Sequence, residues 1–372
     1  MSLKDYVTLG HSGLRVSPLC LGTMTFGTEW GLGTAEEESK AILHQFLDAG
    51  GNFVDTANVY NFGTSEEMLG KFLKQNGLRD RTVLATKFTF NLKPGDPNAG
   101  GNSRKAIYLA VEASLRRLQT DYIDLYWMHA WDAITPLEEV LSTLTDLVRA
   151  GKIRYYGFSN TPAWYVACVQ TLADQQGKEP LIALQLEYSL AARSIEREHI
   201  PAAQKLGLGI CPWSPLSGGL LSGKYKRDTA GTKGEGRLTG PAAAFFKGFS
   251  EKNWRILDTL TEVSKQLSKS PAQVALNWAA TQPGITSTII GATKPTQLAD
   301  NLASLDFEIP KELRARLDQV SALDRVTPYT YFTGVEHSRI TGETSLHPWM
   351  PTWLTGAPAP PAEEKNAAGK GA

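Results

Sequence analysis

Cysteine is scarce in this chain: three in 372 residues, Cys20, Cys168 and Cys211, with no CxxC pair. That excludes a disulfide framework and a cysteine-built zinc site, and each thiol is expected to be a reduced, buried core residue of a cytoplasmic protein. Net charge is lacking too. The 38 basic and 38 acidic side chains cancel, and no basic block stands out. Nucleic acid is therefore not expected as a partner. No apolar run approaches the roughly 20 residues that cross a bilayer, so no membrane span is expected. The opening MSLKDYVTLG has no charged start followed by an apolar stretch, and no signal peptide is read there. His, Cys and carboxylate residues show no ligand spacing, so no metal is expected. A glycine fingerprint is absent as well. LGTMTFG after the first candidate strand is not GxGxxG, which argues against a doubly wound open sheet.

What remains is an ordinary globular composition, 42% hydrophobic and 20% charged, with a strong rhythm. Residues 6–17 read as a hairpin. Val7 and Leu9 alternate with polar residues, His11-Ser12-Gly13 turn the chain, and Leu14 and Val16 resume the alternation. Its expected role is to plug the bottom of a core. Eight apolar runs follow, at 19–23, 52–56, 82–87, 122–128, 153–158, 181–187, 206–213 and 285–292. They are rich in Val, Ile, Leu and Tyr without strict alternation, as in strands covered on both faces. The stretches between them are helical. Ile107, Val111, Leu115 and Leu118 form one stripe, with Asn102 or Ser103 as N-cap. Leu137, Leu141, Leu144 and Val148 form another, with Gly151 where a C-cap belongs. The order predicts a (β/α)₈ barrel over residues 1–325. Residues 214–250 make a long loop of the kind that is usually functional. Residues 326–355 read as an aromatic extension over or beside the barrel mouth, and 356–372 as a disordered tail.

Four chemically active residues fall just past consecutive strands: Asp55, Tyr60, Lys87 and His129. Singly, each has a plain role as cap, packing residue, solvated cation or core histidine. Jointly, at the C-terminal ends of strands of a parallel barrel, they converge where such barrels carry catalysis. A phenol is a poor acid near neutrality unless its anion is stabilised. Lys87 supplies the stabilising ammonium, Asp55 keeps Lys87 charged and oriented, and His129 donates or relays a hydrogen bond at a substrate oxygen.

The runs FVDTANVYNFGTSEEMLGKFL, ATK, DLYWMH, GKIRYYGFSN, LQLEYSL, WSPLSGGLLSGKY and IIGATKPTQLADNL closely resemble the aldo-keto reductases, over about residues 5 to 323. The loop WSPLSGGLLSGKY and the form GFSN resemble the bacterial branch related to potassium-channel β subunits. The resemblance implies hydride transfer from a reduced nicotinamide to a carbonyl carbon, with Tyr60 as proton donor, Lys87 and Asp55 as its partners, and His129 orienting the carbonyl. It implies NADPH, with NADH compatible, and a small-molecule carbonyl or alcohol as partner; self-association is also compatible. By the same resemblance Ser159, Asn160 and Gln185 meet the nicotinamide carboxamide, and Trp213 stacks on its ring. Thr23 and Met24 lie beside it. Ser214, Leu216 and Gly218 meet the pyrophosphate, and Lys224 and Arg237 approach the phosphates and ribose. Gly291, Thr293, Gln297, Asp300 and Asn301 form the last cofactor segment. Trp30, Phe88, Trp131 and the aromatics of the 326–355 extension are the pocket candidates by position, and an aromatic lining suits a bulky or aryl carbonyl. The alternative is a cofactor-sensing regulatory subunit of the channel-β type, with slow turnover. A lyase or isomerase on the same barrel would lack the nicotinamide loop.

Overall fold

The computed structural model describes residues 1–227, 238–239, 249–332, 338–340 and 342. Arg237, most of the aromatic extension and the whole 356–372 segment lie outside the described residues. Residues 1–322 form one compact unit. A short antiparallel pair opens it, β1 (Val7–Thr8) with β2 (Arg15–Val16), Val7 opposite Val16. Eight parallel strands follow: β3 (Leu19–Gly22), β4 (Phe53–Asp55), β5 (Val83–Phe88), β6 (Ile123–Met128), β7 (Ile153–Ser159), β8 (Ala183–Glu187), β9 (Gly209–Trp213) and β10 (Thr288–Ile290). Their spatial order is β10-β3-β4-β5-β6-β7-β8-β9. Thr286 N donates to Ile210 O at 2.9 Å, which brings β9 against β10 and nearly closes the barrel. This is the (β/α)₈ architecture.

Period-two alternation sorts the strand residues into two layers. Cys20, Phe53, Val83, Ala85, Leu125, Trp127, Ala183, Cys211 and Ile289 pack inside the barrel. Val54, Leu84, Phe88, Tyr126, Met128, Phe158 and Leu184 face the surrounding helices. The inward set continues upward as Asp55, Lys87, His129, Gln185 and Trp213. Thus the register that buries the core also aims the chemistry. Gly157 gives Trp127 its space: a Cβ there would lie 2.5 Å from the indole.

The helices are α1 (Glu36–Asp48), α2 (Thr64–Gln75), α3 (Arg104–Leu118), α4 (Leu137–Arg149), α5 (Ala163–Gln176), α6 (His199–Leu206), α7 (Glu251–Leu267), α8 (Pro271–Ala280), α9 (Pro295–Leu302) and α10 (Lys311–Val320). Ser103 caps α3, its side chain accepting from Ala106 N at 3.3 Å. Gly151 follows α4 with φ 72°, the left-handed turn that a glycine allows. Leu206 closes α6 rather than starting a strand, so β9 is shorter than its apolar run.

The hairpin seals the N-terminal end. Leu9 and Val16 are fully buried with the interior cluster, and His11 N donates to Gly207 O at 2.6 Å. Cys20 and Cys211 are buried as expected, but Cys168 is exposed. The buried stripe of α5 runs through Tyr165, Val166, Val169 and Ala173, and position 168 falls on the opposite side. Among the described residues no helix is long and apolar enough to cross a membrane.

Candidate active site

Lys87 is fully buried at the C-terminal end of β5. Its ammonium pairs with Asp55 Oδ2 and donates to Thr56 O at 2.7 Å and Tyr60 Oη at 3.1 Å. It also lies 4.7 Å from the centre of the Tyr60 ring. Burial alone would strip its proton. The facing Asp55 carboxylate and Tyr60 phenol outweigh that, and the ammonium is held charged above its ordinary range. Asp55 Oδ1 accepts from Gln185 Nε2 at 2.9 Å, and its backbone carbonyl accepts from Thr23 N at 2.9 Å. The His129 ring stands edge-on to Tyr60, centroids 5.9 Å apart. Burial, and then the Lys87 ammonium, push its imidazole well below its usual pKa, so it is neutral near pH 7. The structure therefore gathers a charged lysine, its carboxylate, a phenol and a neutral imidazole at one strand-end cluster.

The loop carrying Tyr60 is unusual. Asn61, Phe62 and Gly63 take φ of 47°, 56° and 105° in succession. Glycine adopts this conformation freely and asparagine tolerates it, but phenylalanine does so at a cost of about 1–3 kcal/mol. Below the loop, Ser65 shares hydrogen bonds with Thr23 (2.9 Å) and Thr56 (2.8 Å). Glu66, with no exposure, accepts from Thr86 at 2.5 Å and from Arg117 at 2.7 Å. These buried bonds fix the start of α2, and with it the chain leaving Tyr60.

The residues expected around a nicotinamide are close neighbours. Asn160 has φ 49°, which turns it out of the strand register. Its Oδ1 accepts from Trp213 Nε1 at 3.2 Å, and its Nδ2 donates to His129 O at 2.9 Å and Ser159 Oγ at 3.0 Å. Trp213 is half-buried at the end of β9. Beyond it, Ser214, Ser217, Gly218 and Gly219 all have positive φ, from 49° to 93°. Such backbone presents N–H groups to an anion. Lys224 lies over it: a Cβ on Gly219 would be 3.2 Å from Lys224 Nζ. Leu216 packs partly into the core beneath. An indole face beside amide side chains, followed by a left-handed loop under an ammonium, fits a nicotinamide and its pyrophosphate. Among the described residues no three His, Cys, Asp or Glu side chains are placed to hold a metal.

Some candidates have other work. Thr23 Oγ1 is buried, donating to the Asp55 backbone carbonyl (3.1 Å) and bonded to Ser65, so it braces the Asp55 backbone. Met24 offers its carbonyl to Asn61 Nδ2. Asp300 accepts from Ser270, the N-cap of α8, at 3.0 Å. Gln297 Oε1 accepts from Thr293 N and Oγ1, and Asn301 Nδ2 donates to Gly291 O at 3.1 Å, bonds that shape the turn into α9. Of the pocket candidates, Trp30 touches the site, 6.1 Å from the Tyr60 ring. Phe88 does not. It is one residue past Lys87, so the pleat turns it outward onto Tyr126, 4.9 Å away. Trp131 packs sideways on Trp164 and Tyr165, at 5.5 and 5.8 Å. Two aromatics were not foreseen. Phe90 stands 4.6 Å from His129 and is 44% exposed; Phe62 stands 6.3 Å from Trp30 and is 69% exposed. The Asn-Phe-Gly run after Tyr60 was the available signal, since Asn and Gly favour left-handed backbone.

A nearly closed parallel barrel with a Lys–Asp–Tyr–His cluster at its strand ends defines an enzyme class, and sequence comparison agrees. The chain belongs to the Aldo/keto reductase family, whose signature matches residues 18–322. It is an oxidoreductase acting on carbonyl or alcohol groups. It is 38% identical to the uncharacterized oxidoreductase YrpG of Bacillus subtilis, over 85% of this chain and 95% of that protein. It is 34% identical to norsolorinic acid reductase of Aspergillus flavus, over 91% and 87% of the two chains. It is also 34% identical to an NADP(+) aryl-alcohol dehydrogenase of Phanerodontia chrysosporium, over 86% of each.

Proposed function

We propose that this protein is an NADPH-dependent reductase of bulky or aromatic ketones and aldehydes, working in reverse as an alcohol dehydrogenase, with Tyr60 as general acid. The observation that carries the reading is the Lys87 ammonium shared between the Asp55 carboxylate and the Tyr60 hydroxyl. When bound, the reduced nicotinamide supplies a hydride to the carbonyl carbon. The chain's residues manage the oxygen. The neutral His129 imidazole and the Tyr60 hydroxyl bracket it. As charge grows on that oxygen, the Tyr60 O–H bond breaks and a new O–H bond forms on the product. The Lys87 ammonium stabilises the phenolate left behind, and Asp55 keeps the ammonium in place. In the alcohol-oxidising direction the phenolate takes the proton back.

Trp213, Asn160, Ser159 and Gln185 would hold the nicotinamide end, and the 214–219 loop with Lys224 the phosphates. The exposed Lys224 and Lys294, with Arg237, supply cations for a 2′-phosphate, which favours NADPH over NADH. The NADP(+) and the aryl alcohol in one relative's name support the same reading. The test is loss of reduced-nicotinamide absorbance with a panel of aryl and aliphatic carbonyls, using NADPH and NADH in parallel. Consumption of NADPH with an aryl carbonyl, at higher kcat/KM than NADH, is the expected result. No turnover with any carbonyl or alcohol would overturn it.

A further inference from the structure

We propose that Phe62 is a specificity-determining residue that walls the substrate pocket with Trp30 against a planar aryl group, and that Asn61 is the positioning residue that holds this wall. The proposal rests on the carbonyl-reductase reading and adds to it the residues that choose the substrate.

Phe62 is hard to explain by folding. Its ring is 69% exposed, so burial contributes little, and its backbone sits in the left-handed region at φ 56° and ψ 27°. A surface aromatic in a disfavoured conformation must be held there by its neighbours, and Asn61 does the holding. Asn61 is fully buried. Its Nδ2 donates to Met24 O at 3.1 Å and to Phe26 O at 3.0 Å, and its Oδ1 accepts from Trp30 N at 3.1 Å. Every one of these bonds reaches the loop that follows β3. The two loops are thereby joined by one side chain. Gly27 makes the fit close: a Cβ there would lie 2.9 Å from Asn61 Cβ.

The result is a single aromatic assembly. Trp30 is edge-on to Tyr60 at 6.1 Å and 82°, and edge-on to Phe62 at 6.3 Å and 89°. On the other side of Tyr60, His129 and then Phe90 continue the series at 5.9 and 4.6 Å. Exposed ring faces and edges around a proton donor match a flat aryl group, which gains edge-to-face contacts that a short aliphatic or polyhydroxylated chain lacks.

The experiment compares 2-naphthaldehyde with propanal, with NADPH as reductant, for wild type, Phe62→Ala, Phe62→Tyr and Asn61→Asp. Phe62→Ala is expected to lower the ratio of kcat/KM for naphthaldehyde over propanal about tenfold, mainly through KM, and Phe62→Tyr to restore it. Asn61→Asp keeps the size and the acceptor for Trp30 N but loses both donations and sets a carboxylate against two carbonyls. It should lower the ratio at least as far. The NADPH dissociation constant, read from tryptophan fluorescence, should stay at its wild-type value in all three variants. If Asn61→Asp does not fold, the surface variants at Phe62 decide. An unchanged ratio in Phe62→Ala would overturn the wall while leaving the reductase reading intact. A wild-type protein that reduces neither of these nor any other carbonyl of the panel would overturn that reading, and the wall with it.

Discussion

Gln185 crosses the barrel to donate from its amide nitrogen to Asp55 Oδ1 at 2.9 Å, joining residues 130 apart in sequence. A side chain that the family resemblance assigns to the nicotinamide carboxamide therefore also fixes the carboxylate that holds Lys87. Gln185→Leu should lower kcat at saturating cofactor by about ten- to a hundredfold, since a hydrogen bond to a charged group contributes about 1.5–3 kcal/mol. The pH profile of kcat should shift as well. A variant with weakened cofactor binding but wild-type kcat and pH profile would show that Gln185 serves the cofactor alone.

Tyr60→Phe removes the proton donor and little else. Its kcat should fall by about 10²–10⁴-fold, the usual worth of general acid catalysis, while fluorescence titration gives an unchanged NADPH affinity. Lys87→Met should be as severe, because the phenolate loses its counter-charge. Retention of most of the wild-type kcat by either variant would remove that residue from the proposed machinery.

How much of this was readable beforehand depends on how local the physics is. The eight apolar runs and their order made the barrel legible, and strand-end positions made Asp55, Lys87 and His129 legible, because a period of two is a property of the strand itself. Phe88 shows the limit of reading by position alone: it adjoins Lys87 in sequence but lies on the other face of the sheet. Asn61 was missed for a different reason. Its three partners, Met24, Phe26 and Trp30, lie on another loop, and only closure of the barrel brings them within reach. Asp300 and Thr23, placed near the cofactor by resemblance, also hydrogen-bond within the fold, to the N-cap of α8 and to the Asp55 backbone, and those partners lie too far away in sequence to be read from it.

His129 should leave a mark on acid stability. Burial, and then Lys87, lower its folded pKa well below the ordinary histidine value of about 6.5. Below that value the unfolded chain takes up a proton that the folded protein refuses, so stability falls as pH drops from about 6.5 toward the folded pKa. Thermal melts of wild type from about pH 7 to about pH 5 should show this decline, and His129→Gln should flatten part of it. Identical slopes in the two proteins would mean that His129 protonates freely in the fold.

Glu66 and Arg117 offer a stability test away from the reacting groups. The Glu66 side chain has no exposure, and its bond to Arg117 at 2.7 Å is its charged contact. Arg117→Met strands a buried carboxylate and should destabilise the protein by about 3–5 kcal/mol, whereas Glu66→Gln should cost less. Denaturant unfolding of both variants checks the order, and equal small losses would show that the pair is dispensable.

The hairpin under the barrel also governs how molecules come and go. With Leu9 and Val16 packed into the floor, and with Gly10 so tightly fitted that a Cβ there would lie 2.3 Å from Ile182 O, the lower end offers no passage. On the proposed reading, cofactor and carbonyl would both come in from the end that carries Asp55, Lys87 and His129, and the one lying deeper would be admitted first and depart last; the plug, far from any reacting atom, would then impose a queue on the catalytic cycle.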